Sequence, residues 1–515
     1  MADTVREIER KYEAGDGAGR TAAALLPDLT GAAPVAAVTD RGTAELDAVY
    51  YDTADRRLAA AGITLRRRTG GTDAGWHLKL PVAPGVRDEI RAPLGAGVPR
   101  ALAALVRSRS RDAPLAPLVR IASRREIHHL LDDAGTLLAE ACADTVTATS
   151  LTGGGGTAGW TEVEIELADG ADPALFDALE PHLRKAGLRP SKAPGKLARA
   201  LAETGTPQPP RPPARPLPRT ATAGEHILAF LREQVEAVAA LDPAARRGTE
   251  DGVHRMRVAI RRLRSAFRTY GKVLDRRVTD PLGEELKWLA GELGADRDRE
   301  VVAERLHAHL DELPRTLVRG PVRARLRIRD SRSRIESRRR LITVLDGERY
   351  LSLLDSLDAL LADPPLRTAA SRAAGPVLAK AVLRDYARLA ARVEHALATA
   401  APGPGRDVAL HDARKAAKRT RYAAEAAVPG LGKAAKRFAQ QMKTVQSLLG
   451  DHQDSIMVRG ALRTIAAQAD GAGESTFTFG LLYGREEQRA DGAERELPGV
   501  WQKVSDQRWR EGLAI

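Results

Sequence analysis

Cysteine is nearly absent from this 515-residue chain. The one thiol, Cys142, excludes an intramolecular disulfide framework and any metal site built on several thiolates. A reducing compartment fits that usage. Aromatic residues make up only 4% of the chain. Proteins that hold single-stranded nucleic acid stack bases on aromatic rings, and the basic segments here carry almost none, so nucleic acid is the less fitting partner. No apolar run approaches the ~20 residues of a membrane span; the stretch 21–38 is broken by Pro27, Asp28 and Pro34. The opening MADTVREIERKYE lacks the basic-then-apolar order of a secretory signal. The chain therefore reads as a cytoplasmic protein without a membrane partner; its oligomeric state is not legible. GxxxxGK[ST] is missing, which argues against a P-loop nucleotide hydrolase, and so is the GxSxG elbow of serine hydrolases.

What is present is positive charge. There are 81 Lys and Arg against 68 Asp and Glu, a net charge of +13 and a pI near 10.0. Such an excess implies a polyanionic partner or surface. The hydrophobic share, 43%, is enough for real cores, and the length suggests several domains. The sharpest boundary is at 206–218, TPQPPRPPARPLP, whose proline density favours an extended spacer. We place a first domain at 1–205, a linker at 206–220 and a second domain at 221–515.

Before the linker the chain reads as short alternating strands: EIERKYE, AVYYDT, ITLRRR, WHLKLP, VRDEIRAPL, RREIHHLL and WTEVEIEL. Several have one charged face. Glu7, Glu9 and Lys11 alternate on one strand, Arg66 and Arg68 on another. Arg87, Glu89 and Arg91 do so on a third, and Glu162, Glu164 and Glu166 near the end. One such strand is the outer face of an ordinary sheet; many together suggest a barrel with a charged, wet lumen. Two carboxylate groups far apart in sequence can then meet and offer hard oxygen ligands to Mg²⁺ or Mn²⁺. Arg66, Arg68, Lys79, Arg87, Arg120 or Arg125, and Lys192 could hold phosphates. A metal and cations around a phosphate chain are what phosphoryl transfer requires.

After the linker the spacing is helical, over 226–241, 253–270, 282–293, 350–361, 375–399, 410–427 and 434–449. This half also repeats. VHRMRVAIRRLRSAF (253–267) matches LHDARKAAKRTRYAA (410–424), and each is followed by a similar helix end, ELGADRD and LLGDHQD. His254 precedes Gly294 by 40 residues and His411 precedes Gly450 by 39, which argues for duplication. On the first helix His254, Arg257, Arg261, Arg264 and Arg268 fall on one stripe, apart from an apolar stripe of Met256, Ile260, Leu263 and Phe267. The second copy has His411, Arg414, Lys418 and Arg421, with Lys415 and Arg419 beside them. An exposed helix normally mixes signs; six arginines from Arg255 to Arg268 with no acid call for an anion, and Arg forks suit phosphate oxygens. A second basic run at 315–340 is diluted by Asp330 and Glu336.

The two HxxRxxx[RK]xx[RK] helices with their LGxxxD segments resemble the CHAD domain, across about 221–513. The resemblance implies inorganic polyphosphate binding in a basic groove between two four-helix bundles, with the stripe residues above, and Arg297 of GADRD, at the groove; the second copy has Gln453 in that place. The first half resembles the CYTH superfamily of triphosphate tunnel metalloenzymes, through ExExK (Glu7–Lys11), YYDT, LRRR, HLKLP, EVEIEL and the SK of Ser191–Lys192. That implies an α+β domain built on an eight-stranded antiparallel tunnel. Its triphosphate substrate would be held by Arg66, Arg68, Lys79, Arg87, Arg125 and Lys192. Glu7, Glu9, Glu162, Glu164, Glu166 and Asp144 would hold the Mg²⁺ or Mn²⁺, with Lys11 among the catalytic groups. The expected activity is hydrolysis of inorganic triphosphate or of an end phosphate, in a protein that could associate with polyphosphate granules. The alternatives are a polyphosphate-binding scaffold without catalysis, or a tunnel acting on thiamine triphosphate or on ATP as an adenylate cyclase.

Overall fold

The computed structural model describes residues 3–14, 26–205, 217–218, 220–249, 251–399 and 403–513, without the side chains of 3, 295–298 and 332–334. The chain divides into two compact units, Met1–Ala214 and Arg215–Ile515. Most of the proline-rich linker, 206–216, lies outside the described residues.

The first unit is a closed barrel. Its strands are β1 (Asp3–Ala14), β2 (Ala37–Asp52), β3 (Thr64–Thr69), β4 (Gly75–Ala83), β5 (Val86–Ala92), β6 (Ala116–Leu131), β7 (Leu137–Ser150) and β8 (Thr157–Leu167), with a short β9 (Leu188–Pro190) on the end of β1. The order is β5-β4-β3-β2-β6-β7-β8-β1, all antiparallel, and β1 pairs back to β5 to close the ring. Successive side chains on a strand point to opposite faces, so register fixes what enters the lumen. Glu7 lies opposite Arg87, Lys11 opposite Glu164, and Asp144 opposite both Arg125 and Glu162.

The barrel is therefore inverted relative to a filled one: charge lines much of the interior, and apolar side chains face outward under helices. Leu65, Trp76, Leu78 and Ile90 pack on Leu102 and Val106 of α2 (Arg100–Ser110) and Leu58 of α1 (Arg57–Ala60). Val163 and Ile165 pack on Phe176, Leu179 and Leu183 of α3 (Leu175–Lys185). Each fully buried residue of this size contributes about 2 kcal/mol, which sets the apolar outer face against the cost of a polar lumen. At the end where β2 stops and β3 begins, Leu197 and Leu201 of α4 (Lys196–Glu203) pack on Val119, Ile121, Val146 and Ala148. Those four share strand parity with Arg125 and Asp144, so α4 fills the lumen at that end.

The second unit is all-helical: α5 (Ala223–Arg247), α6 (Gly252–Thr269), α7 (Arg276–Glu292), α8 (Gly294–Asp311), α9 (Val322–Leu345), α10 (Glu348–Ala362), α11 (Ala374–Ala398), α12 (Pro404–Asp470), α13 (Phe477–Val504) and α14 (Gln507–Glu511). The expected helices at 410–427 and 434–449 both fall in α12, interrupted at Gly432 (φ 61°, ψ −139°), a backbone conformation that glycine reaches without strain. The duplication is visible in the fold. Thr222, just before α5, pairs as an isolated bridge with Ala373, just before α11. The helices α5 and α6 of one repeat share a core with α11 and α12 of the other, through Ile260 and Leu263 on one side and Leu410 and Ala417 on the other. The start of α5 carries a full capping box: Glu225 N–H donates to the Thr222 hydroxyl (3.3 Å), and Thr222 N–H to the Glu225 carboxylate (2.7 Å). No helix among the described residues is long and apolar enough to cross a membrane.

Candidate active site and anion-binding face

One wall of the barrel is acidic. Register places Asp144 on β7 beside Glu162 on β8, with Glu164 two residues on. Carboxylate oxygens of these three lie within 4.8 Å of one another, and all three residues are buried. The Lys196 ammonium sits at their focus, 2.8 Å from Asp144, 2.7 Å from Glu162 and 2.6 Å from Glu164. Arg125 donates two hydrogen bonds to Asp144 (2.9 and 2.7 Å) and one to Glu164 (2.6 Å). Lys11 bridges Glu9 (3.0 Å) and Glu164. Burial pushes the Glu164 carboxyl up, but Lys11, Lys196 and Arg125 outweigh it and hold it well below the usual carboxylate range. Asp144 is lowered in the same way, against its burial, by Lys196 and Arg125. A buried set of carboxylate oxygen donors suits a hard divalent cation such as Mg²⁺ or Mn²⁺, which would take the place that the Lys196 ammonium now fills.

The other wall is basic. Arg66, Arg68, Lys79 and Arg87 come from β3, β4 and β5. Lys79 pairs with Glu7 (2.6 Å), Arg68 with Asp73, and Arg87 with Glu9 (3.8 Å). Arg66 donates to the Tyr50 hydroxyl at 3.3 Å and stands 3.7 Å from Glu89. Arg87 also donates to the Pro194 carbonyl (2.5 Å), which fixes the loop that delivers Lys196. Gly195 in that loop has no room to spare: a Cβ there would meet the Arg87 guanidinium at 3.3 Å. The four basic residues line a cavity of about 240 Å³ with Glu164, Lys11, Arg125 and Lys196 of the acidic wall. Glu166 lines it too. Burial first, then repulsion from Glu7, Glu9 and Glu164, pushes its carboxyl up to about 7.

The expected site residues thus divide. Glu162, Glu164 and Asp144 form the carboxylate group, while Glu7, Glu9 and Glu166 stand outside it, Glu7 and Glu9 held by Lys79 and Lys11. Lys192 is corrected: it is exposed, and the tunnel lysine is Lys196. The SK pair pointed to the right loop, but only the turn through Pro194 and Gly195 decides which lysine enters the lumen. Between Arg120 and Arg125 the register decides for Arg125, since Arg120 is exposed and paired with Asp47 (2.6 Å). Tyr50 was not singled out; its motif was seen, but not that its hydroxyl faces Arg66.

In the helical unit the two basic stripes come together. Burial pushes Lys418 of α12 down to about 7, helped by Arg414 on its own helix and by Arg261 and Arg257 on α6. Residues 157 positions apart in sequence therefore face one another. The LG motifs explain their own spacing. A Cβ at Gly294 would meet the Arg257 guanidinium at 3.1 Å, and one at Gly450 would lie 3.8 Å from Arg414. In the first repeat the glycine makes room for the arginine of HxxR, while in the second a Cβ would be in ordinary van der Waals contact with it. His411 hydrogen-bonds Gln453, so that glutamine supports the stripe from its LGxxxD segment. Arg414 stands 3.7 Å from Asp454.

The ends of the stripes behave differently. Arg264 donates to the Gly283 carbonyl (3.2 Å), and Arg268 is exposed and turned to Glu284 (3.7 Å). Lys415 is exposed and paired with Asp412 (3.1 Å), and Arg421 reaches Glu425 (3.4 Å). His254 is half-buried on α6. The side chain of Arg297 lies outside the described residues. The second basic run, on α9, is neutralised in part: Arg323 pairs with Asp311 (2.6 Å), Arg325 with Glu474, and Arg340 with Glu292 (2.7 Å).

Comparison with known proteins gives the same division. Residues 6–199 match the CYTH domain family model, and residues 229–463 match the CHAD domain family model. Two uncharacterized proteins of Mycobacterium tuberculosis strains, MT2285 and Rv2226, are each 40% identical over 518 aligned residues, covering 97% of this chain and 96% of theirs. Among solved structures, PptA from Streptomyces chartreusis is 20% identical with a TM-score of 0.46, over 55% of this chain and 100% of its own. A putative adenylate cyclase from Bacillus halodurans is 19% identical with a TM-score of 0.26, over 38% of this chain and 97% of its own.

Proposed function

Because this chain belongs to the family of proteins that join a CYTH domain to a CHAD domain, we propose that its barrel hydrolyses inorganic triphosphate, or the end phosphate of a longer inorganic chain, with a divalent cation, and that its helical unit binds inorganic polyphosphate. The observation that carries the first part is the cavity lined by Arg66, Arg68, Lys79 and Arg87 together with Glu164, which belongs to the buried three-carboxylate cluster with Asp144 and Glu162. Phosphoryl transfer needs little covalent chemistry from a protein; it needs positioning and charge neutralisation. A divalent cation held by Asp144, Glu162 and Glu164 would supply neutralisation of the reacting phosphate and a more acidic water. The basic wall would hold the phosphate oxygens. Water oxygen adds to the terminal phosphorus, the bond to the bridging oxygen breaks, and triphosphate becomes orthophosphate and pyrophosphate. Glu166, poised near 7, is suited to take the proton of that water at neutral pH.

The size of the cavity favours an inorganic chain. Pockets for drug-sized organic ligands run to roughly 300–1,000 Å³, and this one is about 240 Å³. That weighs against thiamine triphosphate and ATP. For the helical unit the supporting observation is the meeting of Arg257, Arg261, Arg414 and Lys418, four cations gathered from α6 and α12 with Asp454 beside Arg414. Like charges held together in a protein await an anion, and a linear polyanion can span many of them.

The test is orthophosphate release from tripolyphosphate by the full-length protein with Mg²⁺ or Mn²⁺, before and after chelation, beside Glu162→Gln/Glu164→Gln. Release that needs the metal and is lost in the variant supports the reading. No release with either metal overturns it for the barrel.

A further inference from the structure

Arg56 stands apart from every other cation of the barrel cavity. It follows β2 and precedes α1, and its backbone adopts the left-handed region (φ 59°, ψ 44°). Its side chain lines the cavity, yet the residue is only 9% exposed. Its Nε and Nη1 atoms are buried without a hydrogen-bond partner, and no ion pair among the described residues involves it. Each of the other lining cations has a partner: Lys11, Lys79, Arg87, Arg125 and Lys196 pair with lumen carboxylates, Arg66 with Tyr50 and Glu89, and Arg68 with Asp73.

A buried charge without a partner is costly. Ala59, Ala60 and Ile63 share the wall with Arg56, and α4 closes the lumen with Leu197 and Leu201 at the same end. Apolar side chains thus flank the guanidinium, and no acid among the described residues compensates it. The missing acceptor must come with a ligand, and a guanidinium fork matches two oxygens of one phosphoryl group.

The geometry points to Arg56 as a substrate-binding residue that receives a phosphoryl group of the bound phosphate chain at the end of the cavity capped by α4. This deepens, and rests on, the reading of the barrel as a site for inorganic phosphate chains. It assigns direction to the site: one end of the chain lies among Arg56, Tyr50 and Arg66, away from solvent. The guanidinium without an acceptor, rather than its neighbours Ile63, Leu197 and Leu201, makes the occupant there a phosphoryl group.

The assignment is tested with full-length Arg56→Met, Arg56→Lys and Arg56→Ala. A lost charge-assisted contact corresponds to a fall of about 10- to 100-fold in kcat/KM for tripolyphosphate, carried mainly by KM. Lysine should restore part of it, and free guanidinium at low concentration should rescue Arg56→Ala. Arg56→Met should unfold at no lower urea concentration than the parent, because it removes an unpaired buried cation. Unchanged kcat/KM, or a loss that neither lysine nor guanidinium restores, overturns the assignment. Absence of hydrolysis by the parent protein would overturn the hydrolase reading alone, and binding then decides for Arg56. In full-length protein carrying Arg257→Ala, Arg261→Ala, Arg414→Ala and Lys418→Ala, adding Arg56→Met should weaken calorimetric binding of tripolyphosphate about tenfold or more. Equal affinity would overturn it.

Discussion

The barrel and the helical unit both gather arginines and lysines, and they treat them in opposite ways. In the barrel nearly every cation is matched within the lumen: Lys196 alone touches three carboxylates, and Arg125 two. In the helical unit the inner stripe residues Arg257, Arg261, Arg414 and Lys418 gather with Asp454 beside Arg414, and further acids lie at the ends, on Asp412, Glu284 and Glu425. A matched lumen is stable when empty and selects a short anion that arrives with its own cation. A face with an excess of cations is repulsive when empty and gains most from a long anion, at the expense of strong salt dependence.

Separate losses would sharpen that contrast most. Glu164→Gln removes the carboxylate shared by Lys11, Arg125 and Lys196. It should lower phosphate release from tripolyphosphate by about 1,000-fold and leave polyphosphate binding intact. Equal damage to both activities would break the comparison. Next in size, the quadruple change of Arg257, Arg261, Arg414 and Lys418 to Ala should weaken polyphosphate binding by about 100-fold near physiological salt, and flatten the log–log salt slope by about three. Tripolyphosphate turnover should not change. Filter binding across a salt series reads both.

The two units should also answer pH with opposite signs. Glu166 titrates near 7 in the folded barrel, above its ordinary value of 4.5. Its raised pKa stabilises the fold below the unfolded value, and that contribution is lost as pH rises through about 7. Its charge, by contrast, appears only as pH rises, so kcat/KM should climb through about 7, and this limb should vanish in Glu166→Gln. Lys418 titrates near 7, below its ordinary 10.5. A polyanion favours the protonated form, so above pH 7 binding should take up a proton and weaken by up to about tenfold per pH unit. Calorimetry in two buffers of different ionisation heat would measure the uptake; zero uptake at pH 8 would contradict it. The smallest effect is expected from Gly294→Ala, whose Cβ meets Arg257 at 3.1 Å. Displacing one arginine should cost about two- to fivefold in polyphosphate affinity. Full affinity would mean that Arg257 moves aside freely.

The comparison also shows why some residues were legible in sequence and others were not. A stripe on a helix is a local property: His254, Arg257 and Arg261 share a face because of the 3.6-residue turn alone. The charged faces of β1, β3 and β8 follow from the two-residue period in the same way. Lys192 was misassigned because a loop has no period. Arg120 and Arg125 could not be separated because β6 is 16 residues long and carries five arginines and histidines on both faces between Arg120 and His129. Only pairing with Asp144 on β7 identifies the inward one. Arg56 lacked any signal, since its burial depends on α1, α4 and the end of β2 at once.

The sequence by itself determined the two-unit organisation, the class of each unit, the repeat and the chemical character of each face, because periodicity and composition are properties of neighbouring residues. Tertiary structure decided which charges meet. The turn into α4 brought Lys196 to Asp144, Glu162 and Glu164, the repeat brought Arg257 to Lys418, and Gly294 made room for Arg257. These are contacts between residues far apart in the chain, set by register and packing, and they determine whether a cation is neutralised in place or left for a ligand.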